Sequence, residues 1–131
     1  MSIDSEVSRA HAVLIADDEA SMRMIVRRML ESRGYKVFQA SDGEEALAIL
    51  KAAETGPLDL LITDVHMPGS SGVELAQSAR ALIADLKIIF TSGRRPPEVL
   101  SFVEDDAKTK FLDKPFSGSE LVACVGELLA R

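Results

Sequence analysis

One stretch decides the fold: Leu58-Asp59-Leu60-Leu61-Ile62-Thr63-Asp64-Val65-His66-Met67-Pro68-Gly69, where an apolar run ends at an acid and proline and glycine follow. A run of about four to six apolar residues bounded by turn formers is typical of a strand covered on both faces. Because ligands bind outside the carboxyl ends of the strands in an open α/β sheet, Asp64 is predicted to be the reactive residue. The alternative is that Asp64 only caps the segment that follows, a role that aspartate often has.

The length and charge of the chain limit what it can be. With 131 residues and a single cysteine, it fits one domain without a disulfide framework, and a domain of this size buries roughly two-thirds of its unfolded surface. Cys124 lies in an apolar helical run and is predicted to be a small buried hydrophobe. The net charge of −6 argues against a nucleic-acid-binding surface, which needs clustered lysine and arginine.

The N-terminal segment indicates a tail rather than a targeting signal. Residues 1–10 are polar and acidic without apolar periodicity, so we expect a disordered tail or linker remnant there, followed by one domain over residues 11–131. No apolar stretch approaches the roughly 20 residues that span a bilayer. The chain is therefore expected to be cytoplasmic.

The first half of the chain alternates between apolar strands and amphipathic helices. The strands are predicted at Ala12–Ala16 and Tyr35–Gln39. A helix over Ala20–Arg33, ended by Gly34, separates them, and its inward side chains are predicted to be Met22, Ile25, Val26, Met29 and Leu30. A capping box, Ser41-x-x-Glu44, opens a second helix that reaches about Ala53.

The second half repeats this alternation after the strand that ends at Asp64. Two further strands are predicted at Lys87–Thr91 and Lys110–Leu112. Three helices are predicted: from the capping box Ser71-x-x-Glu74 to about Ala84, from Pro96 or Pro97 to Glu104, and from the capping box Ser117-x-x-Glu120 onward. Five strands alternating with five helices predict a parallel sheet covered by helices on both faces, with right-handed crossovers.

Polar and charged residues follow four of these strands. They are the acid pair Asp17-Asp18, then Asp64, Thr91 and Lys114. The carboxyl ends of parallel strands meet at one edge, where three carboxylates would repel each other without a cation. Mg²⁺ prefers oxygen ligands and joins carboxylates to phosphate, so Asp64 could then attack a phosphoryl group. Lys114 would pair with phosphoryl oxygens and the Thr91 hydroxyl would donate a hydrogen bond to another.

Each of these residues also has a simpler interpretation. Asp17 and Asp18 are common charges before a helix N-terminus, Thr91 suits a strand as a β-branched residue, and Lys114 suits a solvated turn. His66, two residues after Asp64, is interpreted as a solvated side chain rather than a proton carrier. The shared placement of the other residues at strand ends is what favours a functional site.

These motifs together make the sequence similar to the receiver domains of two-component response regulators. The resemblance covers about residues 11–130 and rests on Val13-Leu14-Ile15-Ala16-Asp17-Asp18-Glu19, Asp64-Val65-His66-Met67-Pro68-Gly69 with Gly72, Thr91-Ser92, and Lys114-Pro115-Phe116. It implies a flavodoxin-like, doubly wound sheet of strand order 2-1-3-4-5, an arrangement for which a receiver is a standard example.

The resemblance also implies roles for individual residues. Asp64 would accept a phosphoryl group, and Asp18, Asp64 and the backbone carbonyl of His66 would bind Mg²⁺ or Mn²⁺ directly, with Asp17 acting mainly through water. A cis peptide bond is implied at Lys114-Pro115, where proline weakens the trans preference. The residues implied in a conformational switch are Thr91, Ser92 and Phe111.

By the same resemblance, the phosphoryl donor is a histidine kinase or a histidine phosphotransfer protein. The chain would catalyse only its own phosphorylation and dephosphorylation. A downstream protein would bind the surface made by the fourth helix, the fifth strand and the last helix. Two features depart from the family pattern, Arg94-Arg95-Pro96-Pro97 before the fourth helix and Asp105-Asp106 after it, and they bear on how the switch responds.

Three other functions use similar residues or the same fold. An aspartyl-phosphate phosphohydrolase is disfavoured because it needs a second acid where His66 stands, and a flavodoxin is disfavoured because Asp17-Asp18-Glu19 replaces a phosphate-binding loop. A pseudo-receiver that only binds partners is disfavoured by the presence of the acids, Thr91 and Lys114. The kinase, the pathway and whether the receiver stands alone or belongs to a hybrid kinase or larger regulator stay open.

Overall fold

The fold is a single parallel sheet between two layers of helices. A computed structural model describes residues 11–52, 58–67, 69, 71–93, 99 and 107–130. The strands are β1 (Ala12–Ala16), β2 (Lys36–Ala40), β3 (Leu60–Asp64), β4 (Lys87–Ser92) and β5 (Thr109–Asp113). All pairings are parallel, and the order β2-β1-β3-β4-β5 confirms the predicted topology.

Four helices lie within the described residues: α1 (Ala20–Glu31), α2 (Gly43–Lys51), α3 (Gly72–Leu82) and α4 (Gly118–Leu129). Of the fourth predicted helix, from Pro96 or Pro97 to Glu104, only Val99 is described, and it is helical and fully buried. The rest of that helix lies outside the described residues. So do the predicted tail at residues 1–10, Pro68, Arg94-Arg95 and Asp105-Asp106. Within the described ranges, no helix is both long and apolar enough to cross a membrane.

The core has two layers because the central strands are apolar on both faces. Every residue of β1 is buried, with Leu14 packing in one hydrophobic cluster and Val13 and Ile15 in the other. A parallel sheet covered by helices on both sides needs this pattern. Cys124 on α4 is half-buried, and burial raises the pKa of its thiol, so the protonated sulfur packs as a small apolar group.

The helix α1 is shorter than predicted, and fewer of its apolar residues are buried than predicted. The helix ends at Glu31 rather than Arg33, and Gly34, at φ +91°, follows it. The Tyr35 N–H donates to Leu30 O and the Gly34 N–H to Glu31 O, which is a Schellman motif. Ile25 was predicted to be inward, but it is 48% exposed because the buried contacts of α1 centre on Val26 and Leu30.

Two of the three predicted capping boxes are confirmed, at Ser71 and at Ser117. The prediction at Ser41 was wrong by one residue. Asp42 is the N-cap of α2 and its carboxylate accepts the Glu45 N–H, while the Glu45 side chain accepts the Ser41 N–H. Aspartate caps helices at least as well as serine, so the start of α2 moves one residue along the chain.

Glycine at position 72 lets α3 begin directly against the end of β3. The Gly72 N–H donates to Val65 O at 2.8 Å. A Cβ atom on Gly72 would lie 2.2 Å from the backbone carbonyl oxygen of Asp64. Because that oxygen belongs to the backbone, it cannot move aside without shifting the end of β3.

We expect Gly72→Ala to lower the free energy of unfolding by about 2 kcal/mol or more, because the methyl group overlaps the Asp64 carbonyl. Urea denaturation followed by circular dichroism measures this. Gly126→Ala is the matched control, since nothing lies within 4 Å of the Cβ it would add. It should stabilise α4 by about 0.5 to 1 kcal/mol, and equal effects of the two substitutions would contradict the steric explanation.

Candidate functional site

The candidate site lies where β1, β3, β4 and β5 end at the same edge of the sheet. Asp17 directly follows β1 and Asp64 is the last residue of β3. Thr91 is the register partner of Asp64 on β4, and Ser92 pairs with Asp113, the residue before Lys114. The four strand ends therefore gather the predicted side chains because the strands are parallel and adjacent.

The Lys114 ammonium lies between two carboxylates. Its Nζ is 3.0 Å from Asp17 Oδ2 and 3.1 Å from Asp64 Oδ2. These side chains are 20% (lysine), 4% (Asp17) and 12% (Asp64) exposed, so the ion pairs are largely shielded from water. Charges buried to this degree are retained only when they are paired. Lys114 is therefore the internal counter-ion of the two acids.

The same contacts set the pKa of Lys114. Burial is the largest single influence and lowers this pKa, but hydrogen bonds and Coulomb attraction from Asp17 and Asp64 together outweigh burial. The pKa of Lys114 is consequently raised above its ordinary value, and the ammonium stays protonated at neutral pH.

Backbone groups fix both acids that contact the lysine. Asp17 Oδ1 accepts the Glu19 N–H at 2.9 Å, and Asp64 Oδ1 accepts the His66 N–H at 3.0 Å. The Asp64 bond also orders the turn after β3, while the His66 side chain is exposed, as expected for a solvated residue.

Three carboxylates are close enough to hold a metal ion. One oxygen each from Asp17, Asp18 and Asp64 lie within 4.8 Å of one another. Oxygen ligands of an octahedral ion with bonds of about 2.1 Å stand about 3 to 4 Å apart, so only a small closure is needed. The donor set consists of carboxylate oxygens alone, which fits a hard divalent cation rather than a softer metal.

The residues implied in a switch lie on β4 and β5. Thr91 and Ser92 are each 2% exposed. Phe111 is half-buried, packs against the hydrophobic cluster on one face of the sheet, and is the register partner of Phe90. The Lys114–Pro115 peptide bond is cis, and the Lys114 N–H donates to Ser92 O at 2.8 Å.

Sequence reasoning missed one contact at this site. Arg23 was not among the predicted site residues, but its Nη1 donates to the backbone carbonyl of Asp17 at 2.7 Å. The only feature of the sequence that could have indicated this contact is the position of Arg23, about one turn after the start of the helix that follows Asp17 and Asp18. A lysine or arginine at that spacing is so common on exposed helix faces that the signal alone is weak.

Comparison with known proteins identifies a family for this arrangement. The sequence profile of the response regulator receiver domain matches residues 13–126. The sensor kinase CckA of Brucella abortus is 38% identical over 127 residues, which are 97% of this chain and 13% of the kinase. The transcriptional regulatory protein PdtaR of Mycobacterium tuberculosis is 33% identical over 98% of this chain and 61% of that protein. The chain thus spans only part of both relatives.

A solved structure supports the same family. The chemotaxis protein CheY4 of Vibrio cholerae is 30% identical and superimposes with a TM-score of 0.80, covering 92% of this chain and 99% of that one. The strand order observed here is that of the CheY-like receiver fold.

Removing the lysine should make the fold depend on an added cation. In EDTA we expect Lys114→Met to lower the free energy of unfolding by about 2 kcal/mol, because Asp17 and Asp64 lose their counter-ion. Saturating Mg²⁺ should stabilise this variant more than the wild type, as measured by urea denaturation with and without the ion.

Lys108→Met is the control, since the Lys108–Asp85 pair is exposed at 39% and 94%. Exposed ion pairs contribute less than about 1 kcal/mol to the free energy of unfolding. Lys108 precedes β5, so it lies at the other end of that strand from Lys114. Equal Mg²⁺ stabilisation of Lys114→Met and the wild type would contradict the role of Lys114 as counter-ion.

Proposed function

Because the chain belongs to the response regulator receiver domain family, we propose that it is a phosphoacceptor in which Asp64 takes a phosphoryl group from a phosphohistidine. Receiver domains of this family act in two-component systems, in which they interact with histidine kinases or phosphotransfer proteins. The observation that carries the proposal is the Lys114 ammonium held between Asp17 and Asp64 at the carboxyl edge of the sheet.

The reaction makes one bond and breaks another. A carboxylate oxygen of Asp64 forms an O–P bond in line with the P–N bond of the phosphohistidine, which breaks and leaves the electron pair on the imidazole of the donor. β3 and the His66 N–H hold the Asp64 carboxylate in one orientation. The entropy cost of orienting this nucleophile is therefore small when the donor binds. Lys114 is already within reach of Asp64 and pairs with the phosphoryl oxygens as charge moves onto them.

The acids Asp17, Asp18 and Asp64, with the backbone carbonyl of His66, are the residues proposed to hold Mg²⁺ or Mn²⁺. An ion held by these residues would supply positive charge that shields the carboxylates from the incoming phosphoryl oxygens. Asp17 keeps its contacts to Lys114 and the Glu19 N–H, which is why we assign it a water-mediated contribution.

The phosphoryl group changes the partner surface through a buried switch. It adds roughly −1.5 to −2 charge beside Thr91, whose hydroxyl donates to a phosphoryl oxygen. Thr91 and Ser92 shift toward the phosphate, and Phe111 turns into the space they leave. Moving a two-state equilibrium from mostly off to mostly on takes about 5.5 kcal/mol, which two or three charge-assisted hydrogen bonds in a shielded site can supply.

The remodelled surface, made by the predicted fourth helix, β5 and α4, is proposed to bind a downstream protein. We propose that the domain acts in the cytoplasm. It catalyses only the phosphorylation and dephosphorylation of its own Asp64. We propose residues 11–131 as the receiver domain, preceded by a linker or tail. Its similarity to part of CckA and part of PdtaR is compatible with a free-standing receiver and with a domain of a larger signalling protein.

Phosphorylation of Asp64 is tested by incubation with a small-molecule phosphodonor and Mg²⁺, followed by mass spectrometry of the intact chain. We expect the wild type to gain one phosphoryl group and Asp64→Asn to gain none, because the amide lacks a nucleophilic carboxylate oxygen. EDTA should abolish the gain in the wild type.

Asp113→Asn is the matched control, since Asp113 is an exposed acid that ends β5 at the same edge of the sheet. It should be phosphorylated like the wild type. Equal labelling of wild type and Asp64→Asn would contradict the proposed site. No labelling of either would favour a pseudo-receiver, and turnover of a phosphate ester by catalytic amounts of protein would favour a phosphohydrolase.

A further inference from the structure

The carbonyl group between the two adjacent acids is held by a side chain from α1. Arg23 lies in the first turns of that helix, and its Nη1 donates to Asp17 O at 2.7 Å in a partly buried contact. We propose that Arg23 is a positioning residue for metal binding, which fixes the Asp17–Asp18 peptide unit so that the Asp18 carboxylate faces Asp64. The inference rests on the proposed function and extends it to a residue that touches neither the acids' carboxylates nor the phosphoryl group.

Asp17 itself is held at every polar atom. Its N–H donates to Ala40 O at 3.1 Å. Its two carboxylate oxygens accept from the Glu19 N–H and from Lys114. The carbonyl oxygen is the remaining polar atom, and the guanidinium of Arg23 takes it. The backbone of Asp17 is therefore held at both its N–H and its C=O group.

Asp18 depends on this immobilised backbone. Its side chain is exposed, and among the described residues it makes no hydrogen bond or ion pair. Nothing else in that part of the structure directs its carboxylate toward Asp17 and Asp64, with which it forms the cluster of oxygens within 4.8 Å. The Asp17–Asp18 peptide plane fixes the N–Cα bond of Asp18, and together with the φ of Asp18 it sets the direction of the Cα–Cβ bond. Arg23 holds that plane through the Asp17 carbonyl.

Two effects of Arg23 on a bound cation have opposite signs. Its positive charge near the acids repels a dication, so a purely electrostatic role predicts that removing Arg23 tightens metal binding. A positioning role predicts that removing it weakens binding. Groups that orient metal ligands from outside the ligand shell typically contribute about 10- to 100-fold in affinity, whereas the repulsion from a partly exposed guanidinium is reduced by solvent and salt. Positioning should therefore dominate.

The test is isothermal titration of Mg²⁺ into the full chain. We expect Arg23→Met to raise the Kd for Mg²⁺ about tenfold. Arg23→Lys, which keeps the charge and one flexible donor, should show a smaller loss. Arg23→Gln ends short of the Asp17 carbonyl and should match Arg23→Met, so it serves as the second variant if the methionine variant does not fold.

Arg27→Met is the matched control. It removes a cation from the same helix, but Arg27 is exposed and pairs with Glu31 at 3.0 Å rather than with the Asp17 carbonyl. Its Kd for Mg²⁺ should equal that of the wild type. In phosphorylation assays, high Mg²⁺ should restore the rate of Arg23→Met, as expected when the substitution lowers the affinity for the cation.

Two outcomes separate this inference from the proposed function. If the wild type binds Mg²⁺ and Arg23→Met binds it equally well or more tightly, the positioning role is overturned while the phosphoacceptor function stands. If the wild type binds no Mg²⁺, the metal site is overturned and the role of Arg23 with it.

Discussion

The structure depends on one electrostatic constraint, the gathering of several carboxylates at the carboxyl edge of a buried sheet. Parallel strands with apolar faces deliver Asp17 and Asp64 there whatever their charge, and the Lys114 ammonium between them offsets their repulsion and desolvation. Lys114 reaches that position because it directly follows β5, the strand beside β4. The sheet order and the neutralisation of the site are therefore linked.

Most of the fold follows from patterns that a sequence displays directly. Short apolar runs that end in polar residues predict buried parallel strands, and the two Ser-x-x-Glu boxes at Ser71 and Ser117 mark helix starts because their contacts are local. Once the strand order is known, the meeting of Asp17, Asp64 and Lys114 follows from their shared position at strand ends. These features depend on backbone direction, which the sequence encodes strongly.

The features that sequence reasoning missed depend on side-chain contacts. Ile25 has the spacing of an inward residue, yet it is exposed because the region of α1 that touches the sheet is narrower than the apolar stripe. Asp42 displaces Ser41 as the cap because two good capping residues compete at adjacent positions. Arg23 has several rotamers, and only the packed structure selects the one that reaches the Asp17 carbonyl.

Trapping the acyl phosphate bond itself reveals whether Asp64 carries the phosphoryl group. Borohydride reduction of the phosphorylated chain cleaves an acyl phosphate and converts the aspartate that carried it into homoserine, which peptide mass spectrometry can assign to one position. We expect homoserine at position 64 alone, and only when Mg²⁺ was present during phosphorylation. Homoserine at position 17 or 18, or a phosphorylated chain that yields none at position 64, would contradict it.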